Sequence, residues 1–403
     1  MDDMAEAAMP AQRRRARGWA AVMAALLATA CNTVVPRVPI EAPPPRPEAA
    51  PPPVRPTTGV DEALLQDSAR DRVALLVPLT GPNAGVGQSI ANATQLALLD
   101  TSSEKVRITT YDTGQGAAAA ASRALADGAQ LILGPLLADD VRRVVPVARA
   151  GGVPVVSFSN DASVAGPGSY LLGYSPVQSV ARVVGYAHAH GASAFGGLMP
   201  IGRYGQPVST AFLHAVEEAG GKVVALETFD RANGGVAAAA TKLNRAAPFD
   251  AVLVADSGAT AAAAAVPVKR ASPSVHLLGT ELWNSEPGVV ARPALQGAWF
   301  ASVSNALYRQ YAAKYRARFA SSPYRLSSLG YDAVLLTVRI ARDWPVGSRF
   351  PEARLRDRGG FSGIDGAFRF GRDGIAERAL EVQEVRGGTG VLVSPAPAGF
   401  DGR

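Results

Sequence analysis

The chain has 403 residues, 48% hydrophobic and only 18% charged, enough for two domains or one two-lobed unit with a sizeable core. The formal net charge is +6, but the arginines are scattered and do not run together beside aromatics, which argues against a nucleic-acid surface. The single cysteine, Cys31, excludes an internal disulfide and a cysteine-based zinc site.

Arg13, Arg14, Arg15 and Arg17 precede an apolar run over residues 18–30, too short to span a bilayer comfortably and laid out as an export signal. Residues 1–30 are therefore expected to be a signal peptide. Ala28, Thr29 and Ala30 lead into Cys31, a context that resembles the lipobox of bacterial lipoproteins, with Leu27 one place further upstream than usual. On that reading the Cys31 thiol becomes a thioether to diacylglycerol and its freed amine is acylated, supplying the several chains that stable anchoring needs. Asn32, in place of Asp, points to the outer membrane. The plain alternative is an ordinary signal peptide with an unrelated cysteine. Residues 31–70 follow as a tether. The proline-dense part, 36–56, cannot form a core, and as an extended polyproline-like segment it reaches on the order of 65 Å.

Residues 73–77 form an unbroken apolar strand of the kind buried on both faces. The loop 78–83 leads to a helix from about 88 to 99. Gly85-Val86-Gly87 lacks the third glycine of a dinucleotide fingerprint. A strand at 106–110 and a helix at 117–126 follow. The strand 131–133 closes on Gly134-Pro135. Asp139 and Asp140 stand where an N-cap belongs, before a helix carrying Val141, Val144, Val145 and Val147 that stops at Gly151-Gly152. A strand at 153–158 is broken by Ser159-Asn160-Asp161, and 170–172 is a short further strand. Strand, helix, strand in so few residues is a βαβ crossover and implies a parallel sheet.

A second set begins with a helix at 175–190 and a strand at 194–199. Next come a helix at 208–219, a strand at 222–229, a helix at 236–245, and strands at 251–255 and 275–278. Residues 297–301 read as a connection back, followed by helices at 306–320 and 326–341. Strands at 366–370 and 379–386 suit a hairpin turned at Arg372-Asp373-Gly374. The expected lobes are 71–172 with 300–345, and 173–299 with 346–395, leaving a tail at 396–403.

Val77-Pro78-Leu79-Thr80-Gly81-Pro82, Leu133-Gly134-Pro135, Tyr204-Gly205, Gly330-Tyr331-Asp332-Ala333 and Gly363-Ile364-Asp365-Gly366 occur in this order. From about Arg72 to Arg386 the chain thereby resembles type I periplasmic binding proteins of the leucine-binding and amide-sensing branch. The resemblance implies an α/β fold of two lobes, each a parallel sheet flanked by helices. The runs Val156-Ser157-Phe158-Ser159-Asn160-Asp161 and Leu277-Leu278-Gly279-Thr280-Glu281-Leu282-Trp283 are most similar to penicillin-binding protein activators of the LppC/LpoA type. Those are outer-membrane lipoproteins that reach across the periplasm and stimulate peptidoglycan synthesis by a bifunctional penicillin-binding protein. Enterobacterial members carry a helical-repeat domain where this chain has its proline-rich spacer.

No catalytic constellation stands out. His188 and His190 are two apart on a helix, and His214 and His276 are isolated. Gly173-Tyr174-Ser175-Pro176 lacks the second glycine of a nucleophile elbow, and Glu217-Glu218 reads as a solvated face. No enzyme activity, cofactor or metal is expected. Binding candidates come from strand tips, where open α/β sheets hold ligands: Thr80, Ser157, Ser159 and Asn160 in the first lobe, Tyr204, Asp256, Thr280 and Glu281 in the second. In amino-acid binders of the resembled fold, hydroxyls and backbone N–H groups hold the carboxylate, a second-lobe acid the ammonium, and an aromatic packs on the body. Ser157 and Ser159 would take the first role, Asp256 or Glu281 the second, Tyr204 the third. The bland reading is that these groups only cap helices and satisfy turns. Trp283 and Trp299 are contact anchors or, preferred, core residues. The leading expectation is a non-enzymatic, lipid-anchored activator of a peptidoglycan synthase. The alternative is a solute-binding protein delivering branched-chain or other amino acids to an ABC permease; a ligand-sensing domain is the third.

Overall fold

Five parallel strands form the first lobe's sheet: β1 (Asp71–Val77), β2 (Val106–Asp112), β3 (Leu131–Leu133), β4 (Val155–Ser157) and β5 (Ser169–Leu171). They lie in the order β2-β1-β3-β4-β5, joined through helices α1 (Ala84–Thr101), α2 (Ala117–Ala126) and α3 (Ala138–Ala150). The computed structural model describes residues 70–246, 248–286, 288–397, 399 and 400; the expected signal peptide, Cys31 and the tether through residue 69 lie outside the described residues. Ala117, Ala120, Ala121 and Ala124 are buried, so α2 lies close on the sheet because its inner face has no bulk.

The second lobe repeats the plan. Its elements are α4 (Pro176–Ala189), β6 (Ala194–Pro200), α5 (Gly205–Ala219), β7 (Lys222–Phe229), α6 (Gly235–Leu243), β8 (Ala251–Val254), α7 (Gly258–Ala271), β9 (His276–Gly279), the single turn α8 (Leu282–Ser285) and β10 (Trp299–Ser302). The chain then returns with α9 (Ala306–Phe319) and α10 (Ser328–Ala341), which pack on α1. A small antiparallel sheet of β11 (Phe361–Gly363), β12 (Gly366–Phe370) and β13 (Ala376–Arg378) follows, and β14 (Glu381–Arg386) and β15 (Thr389–Ser394) close the second sheet in the order β15-β14-β10-β9-β8-β6-β7. The expected two-lobed α/β class is what the structure shows. Both lobes use one device at the switch point: a Cβ at Gly87 would collide with the Pro78 carbonyl, and one at Gly205 with that of Pro200. Gly87 thus serves close helix–strand packing, whereas a Cβ at Gly85 would meet the Tyr324 side chain, and α1 starts at Ala84, four residues earlier than expected.

Several expectations are corrected. Asp139 and Asp140 are not N-caps: α3 begins at Ala138 behind Leu137, and the two aspartates occupy its first turn. Residues 299–302 are no connection but a strand inside the second sheet, parallel to β9 and antiparallel to β14. The turn over 371–374 is real, with Asp373 Oδ1 accepting from Ile375 N–H, yet it joins β12 to β13 and not to residues 379–386. Residues 361–378 sit against the first lobe, where β11 contacts α10 and Ile375 bridges Leu171. The expected second lobe, 173–299 with 346–395, does not extend to them. Trp283 and Trp299 are both buried, as preferred.

The lobes are joined at residues 172–175, 303–305 and 379–380, and one buried network ties the passes. Arg325 pairs with Asp365 at 2.6 Å and Arg378 with Asp332 at 3.5 Å, all nearly inaccessible. Tyr174 donates to Asp365 Oδ2 at 2.6 Å, and Arg378 donates to the Leu172 carbonyl at 2.9 Å. Burial, with the Asp365 charge behind it, pushes the Asp332 carboxyl from 3.8 to about 7. A carboxyl raised on folding stabilises while protonated, fully below 3.8, and that contribution is lost as pH rises through about 7. Asp332→Asn should therefore flatten the fall in melting temperature between about pH 4 and pH 8, measured by calorimetry. Arg325→Met should cost about 3–5 kcal/mol in denaturant unfolding, because it strands the buried Asp365 charge.

Candidate functional site

The carboxyl ends of the two sheets enclose a cavity of about 940 Å³ between the lobes, ample for a small molecule. Of the predicted site residues, Ser159, Asn160 and Tyr204 line it. Ser157 lies beneath: its hydroxyl donates to the Pro135 carbonyl at 2.8 Å and accepts from Ser159 N–H at 3.0 Å. Ser159 Oγ in turn accepts from Asp161 N–H at 3.2 Å. Both hydroxyls are thus building the turn after β4. Asn160 is exposed at the tip of that turn and lines the cavity.

Thr80 sits apart, in a neighbouring hollow of about 570 Å³, where its hydroxyl donates to Asp112 Oδ2 at 2.8 Å. Burial alone would raise the Asp112 carboxyl, but N–H donors from Leu79, Gly114 and Thr80 and the Thr80 hydroxyl together hold it low.

On the second-lobe side, Tyr204 Oη donates to Glu281 Oε1 at 3.0 Å and lies 3.0 Å from Thr280 Oγ1. The other Glu281 oxygen accepts from Ser179 Oγ. Burial drives the Glu281 carboxyl upward despite those donors, and Tyr204 is likewise raised, by burial and then by the Glu281 charge. Asp256 Oδ2 accepts from Arg231 Nε at 2.7 Å, and Oδ1 takes the Ser257 N–H. Thr280, Glu281 and Asp256 are therefore brought together behind Tyr204, engaged with one another's neighbours and absent from the cavity lining.

The cavity also holds charges that strand-tip reasoning missed. Asp139 of the first lobe pairs with Arg142 at 2.7 Å and, across the mouth, with Arg203 of the second lobe at 3.1 Å. Arg142 further reaches Asp161 at 3.0 Å and Ser163 Oγ at 2.8 Å. The hydrogen bond and charge of Arg203, then those of Arg142, hold the Asp139 carboxyl below its usual range. Arg203 stands beside Tyr204 in the loop after β6, and that adjacency was the signal available in the chain. Leu137, Val177 and Ile375 supply apolar wall. Among the described residues no group of three or more His, Cys, Asp or Glu is placed to hold a metal ion.

A family model described as periplasmic binding protein matches residues 72–389. Among curated proteins, the uncharacterized protein RP748 of Rickettsia prowazekii is 28% identical over 139 residues, 34% of this chain and 37% of that protein. The match thus spans little more than a third of the relative's length. Among solved structures, one assigned to a branched-chain amino acid ABC transporter of Rhodospirillum rubrum superposes with a TM-score of 0.72 at 20% identity, over 80% of this chain and 100% of that one. A solute-binding protein of an R. palustris ABC transporter, in complex with 4-hydroxybenzoate, gives 0.64 at 16% identity, over 82% and 97%. At such identities the likeness is one of fold.

The Asp139–Arg203 contact is the mouth's own interlobe tie, between side chains 60% and 76% exposed, so solvent screens it and it should yield readily. Asp139→Asn should shift the distance distribution between spin labels at the exposed Leu99 and Leu213 in the ligand-free protein. An unchanged distribution would mean that the pair does not hold the lobes.

Proposed function

The chain belongs to the periplasmic binding protein family, and on that premise we propose that it is a non-enzymatic solute-binding protein for a small carboxylate, handing its cargo to an ABC permease. Family membership supports a periplasmic site of action, and the lipidation of Cys31 with its tether is part of the proposal. The lining holds two aspartates and two arginines, and the observation that carries the ligand class is that Asp139 and Asp161 are already paired with arginines while Arg203 keeps most of its donors. Arg203 lines the cavity and, among the described residues, makes a single hydrogen bond, to Asp139. The acids that would receive a ligand ammonium are already engaged, Glu281 by Ser179 and Tyr204, Asp256 by Arg231. A guanidinium fork matches a carboxylate's two oxygens, and the ring of Tyr204 with Leu137 and Val177 offers an apolar bed for the rest.

The relatives and the cleft favour solute binding over the activator role that the narrower resemblance implied. One observation keeps the activator as a second reading: Ser157, Asp256, Thr280 and Glu281 are satisfied within the chain, as they would be in a cleft retained for structure alone.

Calorimetric titration with leucine, its deaminated analogue and 4-hydroxybenzoate separates the readings. Carboxylates should bind, and Arg203→Ala should weaken them about ten- to a hundredfold, the worth of a charge-assisted hydrogen bond. Tighter binding of leucine than of its deaminated analogue would replace the carboxylate class by amino acids. No binding at all, with capture of a penicillin-binding protein by the full chain, would turn the assignment to the activator.

A further inference from the structure

At the opposite end of the first sheet, by the amino ends of β4 and β5, lies a separate hollow of about 640 Å³. Arg149, Arg356 and Arg372 line it, all exposed, and Arg349 flanks it against Gly152. None of the four makes an ion pair among the described residues. Two of them are held in place. Arg149 Nη2 donates to the Pro167 carbonyl at 2.7 Å, and the Arg356 guanidinium lies over the Tyr170 ring at 5.3 Å. Each of the hollow's two acids has one oxygen engaged by a neighbour: Glu352 Oε1 accepts from Tyr170 Oη at 2.7 Å, and Asp373 Oδ1 accepts from the Ile375 N–H at 3.0 Å. Guanidinia without carboxylate partners in a concavity, two of them positioned, are a recognition arrangement for an anion.

We propose that this pole of the first lobe is a second binding site, for a phosphate monoester. A monocarboxylate brings two oxygens and one charge, fewer than three guanidinia lining one hollow can use. A phosphate monoester brings three terminal oxygens and nearly two charges, and the hollow is wide enough to admit the group that bears it. The site is independent of the interlobe cleft, sharing no residue with it.

The test is titration of the whole protein with inorganic phosphate and glycerol 3-phosphate by calorimetry. Alongside it, co-sedimentation uses phosphatidylcholine vesicles with and without phosphatidic acid. Binding of the soluble probes identifies a soluble ester, and binding confined to phosphatidic acid vesicles identifies a lipid headgroup; either supports the site. Arg149→Gln and Arg372→Gln, both at exposed positions, should each lower affinity about tenfold, with the melting temperature unchanged as the check on folding. Arg203→Ala in the cleft should leave phosphoryl affinity intact while weakening the carboxylate, so the two assignments fail separately. No binding of any phosphoryl probe, binding indifferent to the two glutamine substitutions, or loss on Arg203→Ala overturns the proposal.

Discussion

The ion pair of Arg325 with Asp365, backed by Arg378 and Asp332, is the constraint on which the two-lobed form depends. Charges so fully withdrawn from water are costly, and close pairing with added hydrogen bonds offsets part of that cost. Here partners come from every chain pass between the lobes, although Arg325 Nε and Nη2, Asp332 Oδ2, and Arg378 Nε and Nη1 make no hydrogen bond among the described residues. Tyr174 belongs to the first, and Arg325 lies over the Tyr308 ring just after the second, 3.9 Å from its centroid. Arg378 immediately precedes the third and returns a hydrogen bond to Leu172 in the first. Three strands of chain that would otherwise be independent linkers are thus registered by one polar knot. Around it the core is continuous: Tyr174, Phe368 and Trp344 share a hydrophobic cluster with Phe195 and Leu253 of the second lobe. Gly363 belongs to the same solution, because a Cβ there would overlap the Asp332 carboxylate.

How much of this was legible follows from the range of the forces involved. Strands such as β1 and β8 declare themselves because a parallel strand buried on both faces must be apolar throughout, and helices declare themselves by period and stop signal. Asp332 and Asp365 stood out as members of recurring motifs, but nothing local says that two acids more than thirty residues apart share two arginines. The hairpin error has the same root. Arg372-Asp373-Gly374 is a sound turn signal, and local chemistry fixes that a strand follows. Which strand pairs with it is decided by tertiary packing, which sends β13 to β12 and β14 to β10.

The site divides along the same line. Ser159, Asn160 and Tyr204 were accessible to reasoning from strand tips, since a parallel sheet places its carboxyl-end loops on one edge. What could not be read was the occupancy of each polar group. Ser157, Glu281 and Asp256 have the right chemistry in the right loops, yet their bonding capacity is consumed by Pro135, by Ser179 with Tyr204, and by Arg231. Arg142 and Arg203 reach the cleft from a helix face and a loop whose places become defined only when the lobes meet.

That distinction decides the chemistry of the cleft more than the inventory of residues does. A buried acid already holding two hydroxyl donors, with burial pushing it toward its neutral form, has little field left to offer an ammonium group. An exposed guanidinium tied to one shared aspartate retains most of its donors. A carboxylate entering beside Asn160 can take the place of Asp139 on Arg203, exchanging one charge-assisted bond for another at small net cost. The exchange would free Asp139 to pair wholly with Arg142, so ligand capture and the interlobe tie draw on the same guanidinium. On the proposed reading, an anion between the lobes would need no new contact of theirs, only to substitute for the first lobe's own carboxylate at the second lobe's arginine.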